Sequence, residues 1–99
     1  MIKALSTATS GMQVASLRLD SAAHNVANSA TPGFRRQVVQ ASARPEGGVD
    51  ARVDQATRPG VSLEQEIVDQ LAAAASFKAN AKVIETTRQT LGRWLDDWA

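Results

Sequence analysis

Residues 62–99 contain no proline and a single glycine, Gly92, which leaves little room for any structure but one long helix. Within them Leu63, Ile67, Gln70, Ala74, Phe77, Ala81, Ile84, Arg88, Leu91, Leu95 and Trp98 recur at alternating steps of four and three. That spacing predicts the seam of a helix wound against a partner, with Gln70 and Arg88 as polar interruptions. Ser62 and Gln65 fit a capping box, and Glu64, Glu66 and Asp69 put negative charge at the positive end of the helix dipole. A helix of about 35 residues runs about 50 Å. It needs a long surface to lie against.

Residues 2–28 supply a candidate. Leu5, Met12, Leu19 and Val26 stand seven apart, and Ala8, Ala15 and Ala22 fall three residues after the first three. Large residues alternating with alanine let two helices approach closely. Gly11 interrupts the helix at a cost of about 1 kcal/mol relative to alanine, and the serines and threonines around it are indifferent helix formers. Packing must therefore supply much of this helix's stability. The expected fold is all-α: two long terminal helices packed as an antiparallel coiled-coil hairpin, with an irregular or weakly β middle segment. The expected divisions are 1–33, 34–61 and 62–99, with both helices forming one domain.

The first helix runs out in HNVANSATPGF, residues 24–34. Pro32 pushes Thr31 out of the α region, and Pro32-Gly33 suits the centre of a type II turn, whose second residue needs positive φ. Asn25 and Asn28 can bond backbone groups freed as the helix stops, and Asn28 can take a left-handed conformation there. Phe34 offers an apolar anchor just past the turn. On chemistry alone this stretch is a well-made helix stop.

Residues 34–61 are different material, with two prolines, three glycines and five arginines. Short strands around 37–41 and 49–53 can form a ribbon across Pro45-Glu46-Gly47-Gly48, though their apolar content is too thin for an independent sheet. A connector this long without firm structure implies disorder or a role against a partner.

Several classes of function are excluded or disfavoured. The 99 residues carry a formal charge of +1 and no cysteine, so no disulfide or thiolate metal site holds the chain together. Arg35-Arg36 is too short a basic patch for nucleic acid, and no run is apolar enough to insert in a membrane. The amino-terminal residues lack the unbroken apolar core of a cleaved signal peptide, which by itself suggests a cytoplasmic protein. His24 is the lone histidine, no serine sits in a nucleophile elbow, and Gly47-Gly48 opens no phosphate-binding helix. Asp96-Asp97 reads as a solvated helix end rather than a cation site. No catalytic, cofactor-binding or metal-ligating residue is expected, and no small-molecule substrate.

Beyond the seam, Val68, Leu71, Val83 and Trp94 on the second helix, and Val14 and Leu17 on the first, are apolar residues on flanking faces. Such excess apolar surface predicts association with further copies or partners.

NVANSATPGF, with the helix before it, resembles the amino-terminal signature of the bacterial flagellar rod and hook family. The carboxy-terminal VSLEQEIVDQL…SFKANAKVIETTRQTLGRWLDDW resembles that family's other end, and the two segments occur in the right order. The resemblance implies that Asn25, Asn28, Thr31, Pro32, Gly33 and Phe34 form the turn that seats the first helix. It makes Glu66, Val68, Phe77, Ala79, Asn80, Lys82, Val83 and Ile84 the matching helix face. Leu5, Met12, Leu19, Val26, Ile67, Leu91 and Leu95 complete the expected subunit or helix interface. It further implies a structural subunit of the basal-body rod that polymerises through its terminal helices with itself and with other rod or hook subunits. Such a subunit reaches its place through the flagellar type III export apparatus without a cleaved signal, which moves the expected location from the cytoplasm to the periplasm-spanning rod. The chain departs from the larger members in having only residues 37–60 between the helices. It also carries an alanine run, residues 72–75, before Ser76 and Phe77. A non-polymerising helical-hairpin adaptor or regulator of flagellar export, derived from the same family, is the alternative.

Overall fold

The computed structural model describes residues 2–98. In chain order they form α1 (Ile2–Ala27), β1 (Gln37–Ala43), β2 (Val49–Gln55) and α2 (Leu63–Trp98). Met1 and Ala99, included in the terminal segments expected above, lie outside the described residues. The fold is elongated, 63 × 25 × 13 Å, because two helices of 26 and 36 residues set its long axis.

The helices pair antiparallel. Asn25 touches Glu66, while an added Cβ on Gly11 would sit 2.7 Å from Asn80 Nδ2, so the chain advances fourteen residues along each helix in opposite senses. On α1 the inward face is the heptad pattern expected: Ala8, Ala15 and Ala22 are buried, and Leu5, Met12, Leu19 and Val26 are half-buried. Alanine at every buried apolar position brings the backbones close, and Ala73 does the same on α2.

On α2 the inward face is rotated from the expected seam. Gln70, Phe77, Ile84 and Leu91 are half-buried as the spacing implied. The companion row centres on Glu66, Ala73, Asn80 and Thr87, one residue before Ile67, Ala74, Ala81 and Arg88. Ile67 is 52% exposed, and Leu63, Leu95 and Trp98 also face outward. The reason is local: Glu66 has partners waiting across the interface, and Ala73 permits a closer approach than a branched side chain would.

Gly11 serves this closeness. Asn80 occupies the space that a side chain at position 11 would need. Gly11→Ala is expected to destabilise the wild-type chain despite alanine's better helix propensity. In an Asn80→Ala background the same change is expected to stabilise by about 0.5–1 kcal/mol. Urea denaturation of the four proteins of this cycle checks the change of sign.

The middle segment is a regular antiparallel ribbon, Gln37 opposite Gln55 through Ala43 opposite Val49. It is longer at both strand ends than the sequence suggested. The ribbon packs on α1 and stands clear of α2. It therefore has a face to bury, which answers its thin apolar content. A groove of about 560 Å³ is left between the ribbon and α2, with Val14 and Arg18 at its floor, Val38 on one wall and Ala72 and Ser76 on the other.

Both helix boundaries follow side-chain chemistry. At the start of α2, the Gln65 N–H donates to Ser62 Oγ at 3.4 Å, but the Gln65 side chain donates forward to Asp69 instead of back to Ser62. Only half of the capping box forms. At the end of α1, Asn28 Nδ2 donates to the His24 carbonyl at 2.9 Å. Asn28 does not adopt a left-handed conformation: positive φ among the described residues is confined to glycine. The Phe34 N–H closes a turn onto the Thr31 carbonyl at 3.2 Å with Gly33 at φ 73°, as a type II turn over Pro32-Gly33 requires.

Candidate functional site

The most constrained part of the molecule lies where α1 ends, β1 begins and α2 starts. Asn25 and Glu66 are both only 1% exposed. A side-chain amide buried this deeply must find partners for its donors and its acceptor, and Asn25 does. Its Oδ1 accepts from the Gln37 N–H at 2.7 Å, and its Nδ2 donates to the Gln37 carbonyl at 3.0 Å. The amide thus pairs with the first residue of β1 as a neighbouring strand would. The same Nδ2 also donates to Glu66 Oε2 at 3.2 Å.

The other oxygen of Glu66 is taken by Arg36. Arg36 Nε donates to Glu66 Oε1 at 2.6 Å, and its Nη2 reaches Asp69 Oδ2 at 3.3 Å. A carboxylate this deep is tolerated because one charge-assisted bond and one neutral bond take its two oxygens. Arg36 is just over a quarter exposed, so the cluster opens to water on one side only. The junction joins three segments through the side chains of Asn25, Arg36 and Glu66 and the main chain of Gln37.

A second pin lies at the far end of the ribbon. Ser10, buried on α1, donates to the Thr7 carbonyl at 2.8 Å and accepts from the Val49 N–H at 3.1 Å. Asn25 and Ser10 lie fifteen residues apart, about 22 Å along a helix, close to the span of a seven-residue strand. The ribbon is fastened to α1 at opposite corners.

Of the residues singled out from the sequence, the structure brings Asn25 and Glu66 into direct contact. Asn28 caps α1, and Thr31, Pro32 and Gly33 form the exposed turn. Phe34 is half-buried, its ring 5.5 Å from that of His24. Leu5, Met12, Leu19, Val26, Phe77, Asn80, Ile84 and Leu91 are half-buried along the helix pair, while Ile67 and Leu95 are exposed. Arg36, Asp69 and Ser10 belong to the pinning network and were not picked out for it. Arg36 carried a weak signal, a basic residue just past a turn whose helix faces an acidic helix start.

Among the described residues no group of three or more histidine, cysteine, aspartate or glutamate side chains is placed to hold a metal ion. No helix among the described residues is long and apolar enough to cross a membrane. The arrangement is one of fixed helix ends and exposed apolar side chains.

The helix pair is pinned at the Asn25–Glu66 end and exposes large apolar side chains along α2, and comparison with protein families says what kind of chain carries these features. Residues 5–35 match the family described as flagella basal body rod protein. Residues 57–96 match the carboxy-terminal family of flagellar basal body rod FlgEFG proteins. Together these cover more than two thirds of the chain. The chain belongs to the flagellar rod and hook family. A comparison with curated proteins returns no match.

Proposed function

We propose that this chain is a structural subunit of the bacterial flagellar basal-body rod and polymerises through its terminal helices. The observation that carries the reading is the pairing of two rod-family segments, from opposite ends of the chain, into one antiparallel helix pair. The outer surface supports it. Val68, Leu71, Trp94 and Trp98 are more than half exposed, an unusual load of apolar surface for a chain of this size. Neighbouring copies, or other rod and hook subunits, would bury it by continuing coiled-coil-like packing around the hairpin. The subunit would pass through the type III export route and act without catalysis or cofactor.

Mass spectrometry of purified hook–basal bodies from the source organism tests this. Peptides of the chain are expected at a stoichiometric level beside the other rod components. Their absence, with the protein abundant in the soluble fraction, would overturn the rod reading in favour of a non-polymerising adaptor.

A further inference from the structure

The hydrogen bonds of the ribbon fix which main-chain groups face outward. The Ala56 N–H donates to the Arg36 carbonyl and the Arg44 N–H to the Gly48 carbonyl. By the alternation of an antiparallel ladder, Val38, Gln40 and Ser42 then bond within the ribbon. Gln37, Val39, Ala41 and Ala43 turn their N–H and C=O groups away from β2, and Val49, Ala51, Val53 and Gln55 turn theirs away from β1.

Helix α1 takes up the beginning of each edge. Asn25 pairs with Gln37, Arg18 reaches the Val39 carbonyl at 3.5 Å, and Ser10 bonds the Val49 N–H. The ends of both edges remain. Ala41 and Ala43 on β1, and Ala51, Val53 and Gln55 on β2, have outward main-chain groups without a partner among the described residues. The last four residues of β1 are all exposed. β1 also lacks the devices that usually protect a free edge, since it has no charge, no proline and no bulge.

We infer that the two half-edges pair with each other between copies, the β1 end of one chain accepting the β2 end of a second. Their ends fit antiparallel, with Ala41 opposite Gln55 and Ala43 opposite Val53 of the second copy. That register forms up to four main-chain hydrogen bonds and sets the Ser42 hydroxyl opposite the Asp54 carboxylate of the second copy. The alanines leave the edge open to close approach, and the uncharged β1 puts no like charge against Asp54. Pairing β1 with a second β1 would close at two copies and leave both β2 ends empty. The β1-to-β2 contact repeats and uses the ends of both edges in every interior copy, as an open-ended assembly requires. The inference rests on the rod reading for this choice of sense.

The absence of native cysteine allows a direct test. Ala43→Cys and Val53→Cys chains, each with its disulfide-free partner sequence, are oxidised separately and as an equal mixture. A mixed disulfide dimer is expected at least tenfold faster in the mixture than in either variant alone. Adding Ala41→Pro, which removes an outward N–H without touching the ribbon's own ladder, is expected to cut that rate at least tenfold. Circular dichroism reports whether each variant keeps its helices. Absence of the mixed disulfide between folded chains, or Ala43→Cys alone dimerising as fast as the mixture, overturns the inference. Should a cysteine variant lose its helices, sedimentation of Ala41→Pro beside wild type carries the decision: weaker self-association of the folded Ala41→Pro chain is expected, and self-association equal to wild type overturns the inference. The basal-body measurement is separate. A chain found in the rod without this cross-link removes the edge contact and leaves the rod reading, and a chain missing from the rod leaves the cross-link result as it stands.

Discussion

Asn25→Ala is expected to lower the thermal midpoint by of order 10–20 °C, the largest loss from removing any single uncharged side chain. Three hydrogen bonds go with the amide, and the Gln37 main chain and one Glu66 oxygen lose their partner in a buried site. Leaving buried groups unsatisfied costs about 1–3 kcal/mol each, with partial relief from water entering the space. A net loss of about 2–3 kcal/mol in a domain of this size gives that shift. Asn25→Asp preserves the acceptor toward Gln37 but sets a second carboxylate against Glu66, so it is expected to be no better than alanine. Asn28→Ala removes an exposed cap and should cost under about 1 kcal/mol. Thermal melts followed by circular dichroism compare the three. An Asn25→Ala protein melting within a few degrees of wild type would show that the junction does not hold the ribbon to α1.

Glu66→Ala is expected to cost about 2–4 kcal/mol. Removing one partner of a buried ion pair is damaging because the other charge stays behind, typically at 3–5 kcal/mol when both are enclosed. Here Arg36 is partly exposed and keeps Asp69, which lowers the expected range. Burial also shields the Arg36–Glu66 bond from dissolved ions, so the loss should be nearly the same at low and high salt. The exposed Arg52–Asp54 pair provides the contrast, since Arg52→Ala should change stability by no more than about 0.5 kcal/mol. Urea denaturation at two salt concentrations measures both. A loss below 1 kcal/mol for Glu66→Ala would mean that α2 is held by its apolar contacts alone.

Much of the fold could be read from the sequence because it depends on short-range regularities. The seven-residue spacing of Leu5, Met12, Leu19 and Val26, with alanines between, marks the inward face of α1. Pro32-Gly33 states its own turn, and the two valine-bearing runs around Pro45 lie within the strands found. The face of α2 was half legible. Gln70, Phe77, Ile84 and Leu91 follow the spacing, but a pattern that sorts residues by their preference for water favours Ile67 over Glu66. It cannot register that an asparagine 41 residues away and an arginine 30 away will satisfy the carboxylate. The same blindness hid Ser10, which looks like any poor helix former until a ribbon N–H lies against it. What was missed is polar, buried and distant in sequence.

The helix register has one more effect. Continued from the Asn25–Glu66 and Gly11–Asn80 contacts, it brings Ile2 level with Gln89. Residues 90–98 of α2 then extend past the start of α1, a projection of about 13 Å. The hairpin therefore ends in a step rather than a flat face. On the projecting part, Trp94 and Leu95 stand exposed on the side of the helix, with Trp98 exposed at its last residue. A body that meets this end overlaps it lengthwise, like boards joined by a half-lap instead of a butt joint. Such an overlap resists sliding and twisting as well as pulling apart, because each of those motions drags apolar side chains across one another.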